Sequence, residues 1–300
     1  MKISIIIPNR NGAALLRKNL PSVIVAAKGA EIIVVDDAST DDSLNLLSNT
    51  FSSVRVVPKS HHDGYASTVN AGVKASQGDV VVLLNSDVRP EKAFLDPLVK
   101  RFDDPAVFAV GCLEKSAEGN ATVLRGRGEA AWKRGFFVHW RGEVDRPSTA
   151  WVAGGSGAFR KAIWEKLGGM DTIYDPFYWE DIDLSYRALK AGYGLEFEPK
   201  SVVAHEHETG VIKREYSEFQ VKIVVYRNQF LFIWKNLSDL NILLAHAIWT
   251  PIRLTQAIIR GDLAMLIGYT WALLCTPKAI SSRIQSYHYW KLKDGDLRLR

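Results

Sequence analysis

Cysteine is nearly absent from the chain. Only Cys112 and Cys275 occur, far apart and in no CxxC or Cys/His spacing. That excludes a disulfide framework and a zinc ribbon, and it fits a reducing compartment. Long hydrophobic runs are missing too. The two longest nearly uncharged stretches, LAMLIGYTWALLCTP (263–277) and LNILLAHAIWTPIRL (240–254), fall short of the ~18–20 apolar residues that span a bilayer. The apolar run after Lys2 stops at Pro8, too short for a signal-peptide core. A cytoplasmic protein that opens on a β-strand is therefore expected. No GxGxxG follows the first apolar run and no GxxxxGK[ST] occurs anywhere, which argues against a dinucleotide-dependent dehydrogenase and a P-loop enzyme. Internal repeats and low-complexity segments are also lacking.

What is present reads as an ordinary globular protein. The 300 residues are 47% apolar and 24% charged, enough for roughly one to two domains of ~100–200 residues. The net charge of +5 hides an asymmetry. Residues 1–210 hold 25 Lys+Arg against 27 Asp+Glu, a net −2, and residues 211–300 hold 13 against 6, a net +7.

The first hundred residues alternate. Short β-branched runs at 3–7, 31–35, 54–57 and 80–84 are separated by helical stretches at 11–28, 40–47 and 65–75, with another at 90–102. Runs without polar alternation, spaced by helices, predict βαβ units and a mostly parallel α/β sheet covered on both faces. Residues 111–150 are rich in glycine and charge and read as a loop or an excursion over the sheet. A strand-like WVAGGSGAF, a helix over 161–167, a loop, a helix over 181–191 and two short strands near Leu195 and Val202 follow. From about Lys213 the chain reads helical, with breaks at 236–238, Gly261 and Pro277.

In such sheets ligands bind beyond the carboxyl ends of the strands. Three loops there draw attention: Pro8-Asn9-Arg10, Asp36-Asp37 and Asn85-Ser86-Asp87. Helix capping accounts for Ser39 or Thr40, but not for two adjacent acids at the ligand edge. Asp87 could equally belong to a turn, or hold Mg2+, which one or two carboxylates and substrate phosphates usually share. Further on, Glu180, Asp181 and Asp183 crowd a predicted helix start after three aromatics. Acids there suit the helix dipole, and Asp183 with Arg187 makes an i,i+4 pair, a structural account. A carboxylate against Trp179, by contrast, is desolvated and becomes a better base. His205 and His207, two apart, are candidates for the same metal as Asp87.

The combination resembles the family 2 glycosyltransferases, the inverting enzymes of GT-A fold, and within them the bacterial rhamnosyltransferase-like branch. The matching blocks come in order: SIIIPNRNG (4–12), EIIVVDDASTDDS (31–43), GYASTVNAG (64–72), GDVVVLLNSDVRP (78–90), VAGGSGAFRK (152–161), 168–193 with its WED, and VVAHEHETG (202–210). The resemblance implies a GT-A mixed sheet flanked by helices over 1–212 and a basic helical region over 213–300. It implies that Pro8, Asn9 and Arg10 line the nucleotide, that Asp37 reads the base and that Asp36 assists at the ribose. Asn85-Ser86-Asp87 stands for a DxD motif whose Asp87 holds Mg2+ or Mn2+, with His205, or His207 as runner-up, as a second metal ligand. Gly154 and Gly155 lie beneath the donor sugar, and Asp181, beside Glu180, is the general base. One departure is His61-His62-Asp63-Gly64, where relatives usually carry Asn before Gly.

The expected activity is transfer of a sugar from a UDP- or dTDP-linked donor to a glycan or lipid-linked acceptor in cell-envelope polysaccharide synthesis. The basic C-terminal region is expected to touch the inner face of the membrane, with packing on the core or a homodimer as the alternative, and nucleic acid is not an expected partner. The rivals are a GT-A-fold nucleotidyltransferase, expected to carry a glycine-rich basic first loop that PNRNGAALL lacks, and a catalytically silent nucleotide-sugar-binding membrane scaffold.

Overall fold

The computed structural model describes residues 1–118, 121–205 and 211–299. The opening βαβ pattern folds as its hydrophobicity dictates. Strands β1 (Ile3–Asn9), β2 (Glu31–Asp36), β3 (Arg55–Pro58) and β4 (Val80–Leu84) are mutually parallel, in the order β3-β2-β1-β4. Helices α1 (Ala13–Ala26), α2 (Ser43–Thr50) and α3 (Tyr65–Ala75) connect them. Successive side chains on a strand point to opposite faces. Accordingly Ile5, Ile7, Val34, Val82 and Leu84 join the core under α1 and α2, while Ile6, Ile33, Val35, Val81 and Leu83 join the core under α3.

The expected helix over 90–102 is shorter. Strand β5 (Val88–Pro90) comes first, and α4 spans Leu95–Lys100. Val88 is fully buried and β5 pairs with a later strand, so sheet pairing overrides local helix preference there.

The larger correction concerns 111–150, which is not a loop. It supplies the long strand β6 (Val107–Glu118), β7 (Ala121–Arg125) and the hairpin β8 (Gly128–Lys133)–β9 (Phe136–Arg141). Strand β10 (Ser156–Arg160) runs antiparallel between β4 and β6. Helices α5 (Lys161–Lys166) and α6 (Glu180–Lys190) follow. The two short strands expected near 195 and 202 are one, β11 (Gly194–His205), with a register shift between Glu198 and Val202. The result is a mixed sheet, β3-β2-β1-β4-β10-β6-β11-β5, with β7 against β6.

The remaining helices are α7 (Val211–Glu215), α8 (Glu218–Asn236), α9 (Leu240–Arg260), α10 (Leu263–Leu274) and α11 (Thr276–Tyr287). A third core joins Phe136, Phe137, Tyr174, Trp179 and Tyr186 to Phe230, Phe232, Ala257, Ala272 and Ala279, on both sides of position 212. Ion pairs reinforce that joint: buried Lys190 Nζ reaches Asp294 at 2.9 Å, and Lys235 Nζ reaches Asp171 at 2.7 Å and Asp183 at 2.8 Å. By length and composition α9, at 21 residues, is long enough and apolar enough to cross a membrane. The 240–254 run understated it, because Ile258 and Ile259 continue the helix past Pro251.

Candidate active site

At the carboxyl edge of the parallel strands lies a cavity of about 360 Å3. Pro8, Asn9, Arg10, Asp37, Asn85, Ser86, Asp87 and His205 all line it, so eight of the expected residues meet in one place. Asp36 is not on its wall. It is fully buried one layer below, where it accepts from Asn9 Nδ2 at 2.9 Å, from the Ser39 N–H at 2.9 Å and from Ser39 Oγ at 2.7 Å. Those bonds tie the loop after β1 to the loop after β2. Arg10 Nη1 adds a bond to the Asp37 carbonyl at 2.9 Å, while its Nε pairs with Glu215 of α7 at 3.2 Å.

The β4 end holds the second group. The Val88 N–H donates to the Asn85 carbonyl at 3.0 Å, which closes a tight turn and buries Asp87. Asp87 Oδ1 lies 3.3 Å from His205 Nε2, and it has no hydrogen-bond donor among the described residues apart from that contact. His205 Nδ1 lies 3.3 Å from Glu114 Oε2. Burial works to depress the imidazole, but the Asp87 and Glu114 carboxylates outweigh it and lift it to about 9. An imidazole facing a cavity carboxylate through one nitrogen and a second carboxylate through the other has the orientation usual for a metal-ligating histidine. The buried, donor-poor Asp87 oxygen fits a cation as well. Among the described residues no group of three or more His, Cys, Asp or Glu is arranged to hold a metal. His207 lies outside the described residues.

The acid pair at the start of α6 stands beside this cavity rather than on it. The Gly154 N–H donates to Asp181 Oδ2 at 3.2 Å, and the Asn85 N–H donates to the Gly155 carbonyl at 2.9 Å. Tyr65 Oη donates to Asn85 Oδ1 at 3.1 Å. A Cβ on Gly155 would sit 2.5 Å from Asn85 Nδ2, so Asn85 would have to move, whereas one on Gly154 would sit 3.2 Å from Tyr65 Oη and ask only a small shift. Burial raises the Glu180 carboxyl well above its ordinary range, with Asp181 adding to the effect. Burial also raises Asp181, against the Gly154 N–H. A desolvated carboxyl with a raised pKa is the kind of group that general-base chemistry uses. The turn before them is strained, with Tyr178 at φ 67° and Trp179 at φ 78°. Buried Asn228 of α8 holds it through Nδ2, which donates to the carbonyls of Tyr174, Phe177 and Tyr178 at 2.8, 3.0 and 2.8 Å.

The family profile described as "Glycosyl transferase family 2" matches residues 4–168, more than half of the chain. The chain belongs to glycosyl transferase family 2. It is 31% identical over 215 residues to a pre-mycofactocin glycosyltransferase of Mycobacterium tuberculosis, an overlap covering 69% of this chain and 43% of that protein. It is 26% identical over 226 residues to an N-acetylglucosaminyl-diphospho-decaprenol L-rhamnosyltransferase of the same species, covering 65% of this chain and 73% of that protein. Among solved structures, GalNAc-T7 with UDP, GalNAc and Mn2+ superimposes with a TM-score of 0.61 at 19% identity, over 78% of this chain and 48% of that one. This likeness shows the GT-A fold. The chain spans about half the length or less of the first curated relatives it matches.

Within this family 2 chain, the stretch matched by the profile holds the Asp37 and Asp87 loops and the two glycines, while Glu180, Asp181 and His205 lie beyond it. Sequence reasoning missed several wall residues. Tyr65 sat unused in the block GYASTVNAG, where its aromatic ring was the available signal. Glu114, which is off the wall but backs His205, gave none, because a region read as a loop or an excursion over the sheet offered no reason to place it there. Thr68, Pro176, Phe177, Tyr178 and α7 also line the cavity, and tertiary contact alone brings them there.

Proposed function

We propose that this chain transfers a sugar, with inversion, from a UDP- or dTDP-linked donor to a hydroxyl of a glycan or lipid-linked acceptor in cell-envelope polysaccharide synthesis. The observation that carries the reading is one cavity lined by Asp37 after β2, Asp87 after β4 and His205 at the end of β11, with Asp181 beside it, bonded to the Gly154 N–H. The nucleoside lies along Pro8, Asn9 and Arg10 towards Asp37, and Asp36 braces that wall. The diphosphate lies at Asn85, Ser86 and Asp87. Asp87 and His205 are the residues that would hold Mg2+ or Mn2+, and that ion would supply Lewis-acid stabilisation of the departing diphosphate's charge. Asp181, beside Glu180, takes the proton of the acceptor hydroxyl, and burial keeps its carboxyl raised for that step. The acceptor oxygen bonds to the anomeric carbon as that carbon's bond to the diphosphate oxygen breaks on the opposite face. Gly154 and Gly155 leave room for the sugar.

Calorimetry tests the donor site. One of UDP, dTDP, GDP or CDP is expected to bind in the presence of Mg2+ or Mn2+. Affinity is expected to fall about tenfold or more with EDTA or in Asp87→Ala, the scale of one lost charge-assisted contact. Equal affinity with and without metal, in wild type and Asp87→Ala alike, removes Asp87 from the metal site.

The C-terminal helices support a membrane-surface partner. Leu240, Leu244, Ile248 and Ile252 form an exposed stripe at i,i+4 spacing along α9, and Ile267, Leu274, Ile280 and Ile284 are exposed on α10 and α11. Joined to the net +7 of residues 211–300, this suits an anionic leaflet, where each basic residue contributes about 1 kcal/mol. The protein should sediment with phosphatidylglycerol-containing vesicles, and less so in high salt or as Ile248→Asp. No sedimentation, together with a concentration-dependent dimer in ultracentrifugation, assigns the stripe to a second copy instead.

A further inference from the structure

The acid expected at the nucleobase is not free to read it. Asp37 Oδ1 accepts from Lys59 Nζ at 2.7 Å and from the Asp63 N–H at 3.2 Å. Its Oδ2 accepts from the Gly64 N–H at 3.3 Å and from His62 Nδ1. A carboxylate offers about four lone-pair sites, and these four donors fill them. Burial works to raise the Asp37 carboxyl, but Lys59 and His62 outweigh it and hold it below the usual range, so it stays ionised. An ionised carboxylate only accepts. His62 Nδ1 must therefore carry the proton, which in the neutral ring leaves Nε2 as an acceptor.

His62 is placed to use that acceptor. Its side chain is 33% exposed and lines the same cavity as Asp37, Pro8 and Arg10. The neighbouring His61 is 74% exposed, pairs with Asp63 and is not on the wall. Gly64 fixes the course of this loop. At φ +103° it occupies the left-handed region, and a Cβ there would meet Asp175 at 2.6 Å.

We propose that His62, through Nε2, reads the hydrogen-bonding edge of the donor's base, with Asp37 as the positioning residue that sets its tautomer and ring plane. The pairing selects bases that present an N–H on that edge, N3–H of uracil or thymine and N1–H of guanine, over cytosine, whose N3 is a bare acceptor. This rests on the donor-site reading above. It also gives the departure at His61-His62-Asp63-Gly64 a role.

The test is calorimetry on the full chain with Mg2+, using UDP and N3-methyl-UDP, or GDP and 1-methyl-GDP if guanine is the base bound. Wild type should bind the methylated ligand about tenfold more weakly, the scale of one hydrogen bond left unmade. His62→Ala should bind the parent nucleotide about tenfold more weakly and no longer distinguish the pair. An exposed loop residue can be truncated without unfolding the chain, and an unchanged melting temperature confirms this. Equal wild-type binding of the pair, discrimination surviving in His62→Ala, or a preference for CDP overturns the assignment while leaving the donor site standing. Failure to bind any nucleoside diphosphate overturns the donor site and His62 with it.

Discussion

Replacing Asp181 by asparagine is expected to cut sugar transfer by about 10^2–10^4-fold, the usual worth of a positioned general base, while nucleotide affinity stays within about twofold. The split follows from geometry. Asp181 is not on the wall of the nucleotide cavity. Its bond from the Gly154 N–H, at 3.2 Å, is to a residue that is off that wall as well, and an asparagine carbonyl can still accept it. What the amide cannot do is take the acceptor's proton. Because burial raises the Asp181 carboxyl, the acid limb of the wild-type rate profile should lie above the ordinary carboxylate range. Transfer by Asp181→Asn at near-wild-type rate would move the base elsewhere, and Glu180, whose buried Oε2 has no hydrogen-bond partner among the described residues, would be next to test.

Asp183→Ala should destabilise the fold by about 3–5 kcal/mol in urea denaturation, because it removes from a buried ion network the carboxylate that Arg187 and Lys235 share. Asp183 is fully buried. Its Oδ2 accepts from Arg187 Nε at 2.7 Å and Lys235 Nζ at 2.8 Å, and its Oδ1 accepts from Tyr174 Oη at 2.9 Å and Asn236 Nδ2 at 2.7 Å. Burial works to raise this carboxyl, yet Lys235 and Arg187 drive it down to about 2. The folded pKa therefore lies below the unfolded value of about 3.9. The stabilisation is fully present above that unfolded value and is lost as pH falls through the folded one. Wild type should lose stability steeply between about pH 4 and pH 2, and the variant should show a flatter slope there. A loss under about 1 kcal/mol would mean that the network can be dismantled at little cost.

The same network shows how far local sequence reaches. The i,i+4 spacing of Asp183 and Arg187 announced a pair on one helix face, and the pair is there. Nothing local announced Lys235, which arrives from α8 to share the carboxylate. Strand ends behaved likewise. Apolar β-branched runs put Asn9, Asp37 and Asp87 at the ligand edge, because a parallel sheet presents successive strand ends side by side. By contrast, β6 was hidden in a glycine- and charge-rich stretch. Its polar residues Glu114 and Ser116 are buried by tertiary partners, and Ser156 Oγ donates to Glu114. A polar residue in a strand reads as surface until its partner is known.

By itself, then, the sequence determined the parallel half of the sheet, the order of the family's blocks, the strand-end loops that line the cavity and the charge asymmetry of the tail. Hydrophobic periodicity and strand-end chemistry are local, so they survive without the fold. Tertiary structure alone decided that Asp36 braces the wall instead of forming it, that Asp37 is filled by Lys59, His62 and two backbone N–H groups, that Glu114 backs His205, and that α8 holds the turn before Glu180 and Asp181. Each of these depends on which donor meets which acceptor across long sequence separations, and only the packed chain chooses those partners.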